Sequence, residues 1–109
     1  MAPKRNPLKL NALQLKTLAI LQALTESDES TGEDRAIPML PPAHGNHFHV
    51  GPYLLMGRDA TGLHNPAVWA ALNRKGLVLG EPPGHSVLTS AGAAYETGMA
   101  DKILHSHDH

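Results

Sequence analysis

The strongest periodic pattern of apolar residues lies between Asn11 and Thr25. Asn11 suits the N-cap position of a helix, and Gln14 follows three residues later, as a capping box requires. Leucines at 13, 18, 21 and 24, together with Ile20, give this stretch a wide apolar face. So wide an apolar face indicates burial on more than one side. We interpret it as a helix across the core of the domain, with partial burial against a second subunit as the alternative.

A second pattern begins at Asn65 and predicts a shorter helix. Asn65 suits the N-cap, Pro66 suits the first helical position, and Gly76 can supply the left-handed residue that ends many helices. One face of this helix is apolar at Val68, Ala71 and Leu72. Helical spacing therefore predicts that this face packs on the core and that the opposite face points outward.

Two short β-prone runs follow, at residues 77–79 and 86–89, and they flank a loop that contains two prolines. Proline cannot donate to a strand ladder, so the loop must be the exposed tip of a hairpin. Residues 90–104 then predict a final helix, capped by Thr89 or Ser90. The order is helix, hairpin, helix.

This order resembles the second half of a winged helix-turn-helix domain of the MarR and PadR type of regulator. The resemblance covers residues 61–100 and joins a K-G-L-V motif after the helix to an L-T-x-A-G motif after the hairpin. The matching residues are Leu72, Lys75, Gly76, Leu77, Val78, Leu88, Thr89, Ala91 and Gly92. It implies an α+β winged helix: a small helical core, a C-terminal β-hairpin wing and a terminal helix. It also implies double-stranded DNA as partner and a homodimer formed through the terminal helix.

The interval before the recognition helix departs from that pattern. Residues 26–46 form an acidic and then proline-rich loop, where a typical winged helix has a short strand and its second helix. Residues 47–56 alternate polar and apolar side chains at first, which predicts a strand interrupted near Gly51 and Pro52. The alternative is a short helix from Pro52 to Arg58, which would supply the missing second helix.

Length and composition place these elements in one domain. The chain has 109 residues, which we divide into a flexible basic arm (1–10), the winged-helix-like domain (11–104) and a histidine-rich tail (105–109). It contains no cysteine, which fits a cytoplasmic protein and excludes thiolate metal sites. No apolar run approaches the ~20 residues of a membrane span, so no membrane partner is expected.

Charge is distributed unevenly around a net value of −1. Residues 1–25 carry four basic side chains and no acidic one, residues 26–34 carry five acidic side chains, and residues 35–80 carry four basic side chains against Asp59. The basic residues thus cluster on the arm and around the recognition helix. Phosphate neutralisation supplies most non-specific affinity for DNA, so this distribution favours DNA as the partner.

The winged-helix interpretation assigns contacts to the exposed polar residues near this helix. Arginine pairs bidentately with guanine and asparagine with adenine, and a helix N-terminus suits a phosphate. The candidate nucleic-acid-binding residues are Arg58, Thr61, His64, Asn65, Asn73, Arg74, Lys75 and His85. Lys75 and His85 are expected on backbone phosphates, whereas Trp69 is assigned to the core or an interface.

Histidine provides a second signal, because eight are present. His47 and His49, two residues apart on a predicted strand, would share one face, and His44 is close enough in sequence to add a third imidazole. Imidazole suits zinc and nickel, so His44, His47 and His49 are candidate ligands for either metal. The tail adds His105, His107 and His109.

Catalysis has little support in the sequence. It offers no nucleophile with an evident base, no phosphate-binding loop and no carboxylate pair at helical or strand spacing, so we expect no enzyme. The preferred function is a dimeric transcriptional regulator that binds DNA. The alternatives are a winged-helix module that binds protein, and a metal-binding protein that uses the histidines.

Overall fold

A computed structural model describes residues 6–26, 34–38, 47–50, 53–81 and 84–106. Short helices and short strands alternate through these residues, which makes the fold α+β. In chain order the elements are α1 (Ala12–Leu24), β1 (Arg35–Ala36), β2 (His47–Val50), β3 (Tyr53–Met56), a first 3₁₀ turn (Gly57–Asp59), a second 3₁₀ turn (Thr61–His64), α2 (Pro66–Arg74), β4 (Val78–Leu79), β5 (Val87–Leu88), α3 (Ser90–Ala94), α4 (Ala100–Ile103) and β6 (His105–Ser106).

Helix α1 begins where the capping box predicts. The backbone N–H of Gln14 donates to Asn11 Oδ1 over 2.8 Å, and the Asn11 N–H donates to Gln14 Oε1 over 3.0 Å. The five residues from Thr17 to Leu21 are all buried, so the middle of the helix is covered on every side. This burial is provided by the single chain, as the core interpretation predicts.

The first sheet has three antiparallel strands in the order β1-β5-β4. Strands β4 and β5 form the predicted hairpin, in which Val78 pairs with Leu88. The third strand, β1, comes from the acidic and proline-rich interval and pairs Arg35 with Leu88 from the other side. Part of an interval predicted to be irregular therefore completes the sheet.

The second sheet has the order β2-β3-β6. Strands β2 and β3 pair over four consecutive residues, from His47 opposite Met56 to Val50 opposite Tyr53. The extended conformation predicted for this stretch is confirmed, but residues 47–50 and 53–56 are two antiparallel strands and not one interrupted strand. The alternative helix starting at Pro52 is wrong, because residues 53–56 are extended. Strand β6 joins the same sheet, so residues 105 and 106 belong to the folded domain and not to the tail.

Two 3₁₀ turns follow β3 and lead into α2. In the described residues between α1 and α2, these turns stand where a second α-helix would be expected. Gly62 lies so close to α1 that a Cβ atom there would overlap the Thr17 hydroxyl. An ion pair between Lys16 and Asp59, with Nζ and Oδ1 3.0 Å apart, fastens the first turn to α1.

The C-terminal segment is not the single helix predicted. It divides into α3 and α4, and Gly98 between them has a φ of 67°, which is incompatible with a continuous helix. Thr89 is the N-cap of α3, since its hydroxyl accepts from the Gly92 N–H over 3.0 Å. A Cβ atom at Gly92 would overlap the Leu77 carbonyl oxygen, so glycine permits the close approach of α3 to the hairpin.

Residues 6–10, which belong to the arm predicted to be flexible at 1–10, form hydrogen bonds with the C-terminal half of the chain. The Tyr95 hydroxyl donates to Asn6 Oδ1 over 2.7 Å and accepts from the Leu8 N–H over 3.0 Å. The Leu10 N–H also donates to Asn6 Oδ1, over 2.7 Å, and the Leu10 side chain is buried. We call residues 6–10 the N-terminal turn; residues 1–5 lie outside the described part.

One cluster of apolar side chains joins α1, α2, both sheets and α4. Its fully buried large members are Trp69, Leu18, Ile20, Leu21, Leu55, Leu63, Leu72, Leu77, Leu88, Ile103, Val50 and Val78. Within the described residues, none of the helices combines the length and the apolar character that crossing a bilayer would need.

Candidate nucleic-acid interface

Helix α2 has one face in the core and one in solvent. Asn65 caps it, with Oδ1 accepting from the Ala67 N–H over 3.0 Å, and Pro66 takes the first helical position. The helix ends as predicted, next to Gly76, which has a φ of 77°. The core face carries Val68, Trp69, Ala71 and Leu72, whereas the solvent face carries Pro66, Ala67, Ala70 and Arg74.

Trp69 belongs to the core. Its side chain is 2 % exposed, and its indole Nε1–H donates to the Leu63 carbonyl over 3.0 Å. This bond ties α2 to the second 3₁₀ turn and satisfies the one polar group of the indole. Trp69 therefore fixes the angle at which α2 leaves that turn, and it offers no surface for a base.

Three candidate residues lie on the 3₁₀ turns just before α2. Arg58 is exposed on the first turn, and Thr61 and His64 are exposed on the second. Thr61 and His64 reach the surface because Gly62 and Leu63, between them in the chain, are buried. The structure thus places these three polar side chains at the surface on the N-terminal side of α2, near the capping residue Asn65.

Asn73 has a different role from the predicted base contact. Its Nδ2 donates to the carbonyls of Trp69, over 2.9 Å, and Gly80, over 3.0 Å, while its Oδ1 accepts from the Gly80 N–H over 3.0 Å. Both donors and one acceptor site of the amide are therefore engaged inside the protein. We correct the prediction: Asn73 fastens the start of the hairpin loop to α2.

Lys75 also has a partner within the chain. Its ammonium donates to the Leu8 carbonyl over 2.8 Å, which brings the N-terminal turn beside the C-terminal end of α2. An ammonium has three donors, so this bond leaves two. Lys75 is half-buried, and Lys9 of the adjacent turn is exposed. The two basic residues thus flank the end of the helix.

The hairpin loop presents His85 and Glu81, both exposed. Gly80 begins this loop with a φ of 82°, a conformation that the two bonds from Asn73 hold in place. The loop therefore leaves α2 in a defined direction. Four basic or imidazole side chains of these elements are exposed: Arg58 and His64 before the helix, Arg74 on it and His85 on the loop.

Sequence reasoning did not find the contribution of Asn6, Leu8 and Tyr95. Their bonds join residues up to 89 positions apart, so no local pattern could announce the pairing. One signal was available, since an Asn-Pro dipeptide at residues 6–7 favours the start of a turn. Asn6 indeed has a φ of 64°, a region that asparagine tolerates better than most residues.

Of the candidate metal ligands, His47 and His49 lie on β2 with ring centroids 5.0 Å apart and an interplanar angle of 83°. His44 lies outside the described residues, as do His107 and His109. No group of three or more histidine, aspartate or glutamate side chains in the described ranges is close enough, as placed, to hold a metal ion.

Comparison with known proteins adds no relative. No family model matches the sequence, and neither a curated protein nor a solved structure matches the chain. Function must therefore be inferred from the residues of this chain.

Proposed function

We propose that this chain is a winged-helix DNA-binding protein that regulates transcription as a homodimer. The observation that carries the proposal is the strand order β1-β5-β4, in which a short strand after α1 pairs with the second strand of the hairpin. A short strand in this interval is what the winged-helix resemblance implies. Its pairing with β5 gives the hairpin a third strand that leads back toward α1.

The order of elements supports the same proposal, with one insertion and one substitution. Helix α1, strand β1, helix α2 and the β4-β5 hairpin occur in the order that the resemblance implies, but strands β2 and β3 are inserted between β1 and α2. The second helix is replaced by the two 3₁₀ turns, which rest on α1 through Gly62 and position α2 through Trp69 and Leu63. We infer that the two turns do the positioning work of the missing helix.

The solvent face of α2 suits close approach to a nucleic acid. Ala67 and Ala70 are small and exposed, so the helix backbone can come near a groove wall without a bulky side chain between. Arg74 at the end of this face can pair bidentately with guanine. Arg58 and His64, before the helix, are placed for phosphates near its N-terminus, where the helix dipole favours anions.

The revised contact set differs from the sequence prediction at one position, Asn73, which holds the hairpin loop in place. Lys75 anchors the N-terminal turn and keeps donors for the predicted phosphate. Arg58, Thr61, His64, Asn65, Arg74 and His85 keep their proposed roles. A net charge of −1 predicts weak non-specific binding by one subunit, which is why we propose a dimer.

The test measures DNA binding by fluorescence anisotropy at 50 and 200 mM salt. The first probe is a random duplex library, and the second probes are the sequences that binding enriches from it. We expect Arg74→Ala to weaken binding to an enriched site by roughly 10- to 100-fold. Arg58→Ala should reduce the salt slope by about 1. Lys102→Ala is the charge-matched control, because Lys102 is exposed on α4, outside the proposed surface.

Two results would overturn the proposal: no affinity for any duplex at the lower salt concentration, or Arg74→Ala and Arg58→Ala proteins that bind like the Lys102→Ala control. The dimer is tested separately by sedimentation with and without an enriched duplex. A complex with one protein chain on each duplex would remove the dimer and leave DNA binding in place.

A second candidate, a protein-interaction module on the same fold, is favoured by Leu79. It is the one exposed large apolar side chain of the described residues, at 52 %, and it lies on β4 just before Gly80. A protein partner would cover Leu79, whereas a DNA backbone would not need it. Leu79→Lys should abolish protein capture in the second case and leave DNA affinity unchanged or higher in the first.

A further inference from the structure

Three histidines lie on one face of the second sheet. His49 pairs with Leu54 across β2 and β3, and Leu54 pairs with His105 across β3 and β6. Directly opposed residues of neighbouring strands share a face of the sheet, so His49 and His105 flank Leu54 on the same side. His47, two residues before His49 on the same strand, also points to that side.

That face is the outer one. The opposite face carries Val50 and Leu55, which are both completely buried in the core. On the histidine face, His49 and His105 are exposed, and His47 is half-buried. Between the imidazoles, the floor of this face is formed by the half-buried side chains of Leu54 and Met56. We call His47, His49, Leu54, Met56 and His105 the imidazole face.

The strand register places the two imidazoles of β2 and the imidazole of His105 on either side of Leu54. The rings of His47 and His49 are 5.0 Å apart between centroids. Neighbouring strands are separated by about 4.8 Å, so the backbones of His49 and His105 are roughly 10 Å apart, with Leu54 between them. Two imidazoles that lean inward from either side of Leu54 can therefore reach a common point above it.

As placed, the three rings do not form a closed ligand group within the described residues. Forming such a group requires rotation of the exposed His105 side chain, because the rings of His47 and His49 already lie next to each other. Exposed side chains change rotamer in picoseconds to nanoseconds, so this rearrangement has a small kinetic barrier. The backbone positions, which change far more slowly, already have the required register.

We propose that the imidazole face binds one divalent transition-metal ion through His47, His49 and His105. Imidazole nitrogen suits zinc, nickel and copper, whereas calcium and magnesium prefer oxygen. Three histidines with water in the fourth position form a known type of zinc site. This ligand set keeps His47 and His49 of the trio predicted from sequence and adds His105, because the strand register puts His105 on the same face; His44 lies outside the described residues.

Metal binding would connect the two outer strands of the sheet. Among the described residues, strand β6 pairs with β3 at two positions, Ser106 and His105. An ion held by His49 and His105 would cross-link β2 to β6 over β3 and so stabilise the last strand. The site is on different elements from the proposed DNA surface, and it does not depend on that function.

Isothermal titration of the full chain with zinc or nickel chloride at pH 7.5 tests the proposal. We expect one ion per chain, and we expect His49→Ala and His105→Ala each to weaken binding at least 10-fold, with His47→Ala in the same direction. His64→Ala and His85→Ala are matched controls, since both remove exposed imidazoles from outside the sheet. Binding that is equal in the His49, His105 and control variants would overturn the site.

The double variant His107→Ala with His109→Ala separates the imidazole face from simple chelation by the tail. We expect it to bind like the unchanged protein; a loss of binding as large as that of His105→Ala would overturn the proposal. Because Ala variants can loosen β6, His105→Gln and the ring resonances of His49 and His105 in NMR spectra of the unchanged protein provide a second measurement. Both rings should shift on adding one equivalent of zinc, and rings that stay unchanged would contradict the assignment.

Discussion

The two sheets have the same number of strands and the same antiparallel pairing, yet they are held together differently. Strands β4 and β5 of the first sheet pair at two positions, and side chains support them: Asn73 bonds to Gly80, and the Thr89 hydroxyl donates to the Gly76 carbonyl over 2.7 Å. Strands β2 and β3 of the second sheet pair over four consecutive residues through the backbone.

This difference separates two ways of placing functional groups. A two-residue ladder cannot by itself fix the direction of a hairpin, so the first sheet depends on particular side chains of α2 and α3 to set the angle of the loop. A four-residue ladder fixes its own register through the backbone, so the outward side chains of the second sheet are not needed to set the register. We therefore expect substitutions to act on shape in the first sheet and on binding in the second.

Replacing Trp69 should have the largest effect. Trp69 packs α2 on the core, and α2 supports the first sheet through Asn73, so the first sheet would lose this support. Trp69→Ala should lower the free energy of unfolding by about 3 to 5 kcal/mol, because it empties a buried site and leaves the Leu63 carbonyl without its donor. Urea denaturation followed by circular dichroism measures this. Arg58→Ala, at an exposed position, should stay within about 0.5 kcal/mol. A loss below about 1 kcal/mol for Trp69→Ala would contradict the packing described.

Asn73→Ala should act on the first sheet alone. We expect the free energy of local opening at the hairpin to fall by about 1 to 3 kcal/mol, because the Gly80 amide and two carbonyls lose their partner. Hydrogen exchange should show faster exchange at the Gly80 amide and unchanged protection at Leu54 and Leu55. Asn73→Asp keeps the acceptor for Gly80 and should lose less. Equal protection at Gly80 in all three proteins would show that the side chain does not hold the loop.

Thr89→Ala removes the cap of α3 and its bond to the end of α2. The expected loss is about 1 kcal/mol, typical for an N-cap. Thr89→Ser retains the hydroxyl and should recover most of the stability in thermal melts. If Thr89→Ser and Thr89→Ala destabilise the protein equally, the methyl group of Thr89, and not its capping hydroxyl, stabilises the start of α3.

The smallest expected effect is at the Lys16–Asp59 ion pair, which joins the 3₁₀ turn after the second sheet's β3 to α1. The side chains are 31 % and 14 % exposed, so solvent screens the pair in part. A double-mutant cycle with Lys16→Gln and Asp59→Asn should give a coupling of about 0.2 to 1 kcal/mol that decreases in high salt. A coupling near zero at low salt would leave two other contacts to hold the 3₁₀ turns. Gly62 packs them against α1, and Trp69 bonds them to α2.

Elements with local signals were predicted well from sequence. The capping box of α1, the Asn65-Pro66 start of α2 and the Gly76 stop all act within four residues, so a linear pattern contains the whole interaction. The same holds for the hairpin, whose two β-prone runs flank a proline-rich loop. The extended conformation of residues 47–50 and 53–56 was also readable, because alternation of polar and apolar residues is a local property.

Long-range features were not predictable in this way. Pairing of His105 with Leu54 joins residues 51 positions apart, and no pattern in either segment specifies the other. Helical spacing places Asn73 toward the outside of α2, and the sequence therefore predicts that it contacts a base. Its true partner, Gly80, becomes a neighbour only when the hairpin folds back. Gly98 carried a signal of helix weakness, but only the structure tells that the helix breaks there.

The N-terminal turn has a consequence for how the molecule is made. Its Asn6 side chain bonds to Tyr95, 89 residues later, and its Leu8 carbonyl bonds to Lys75, 67 residues later. These bonds can form only after the residues up to Tyr95 have been synthesised. Helix α1 depends on local contacts such as its capping box, so we expect it to form before the turn docks.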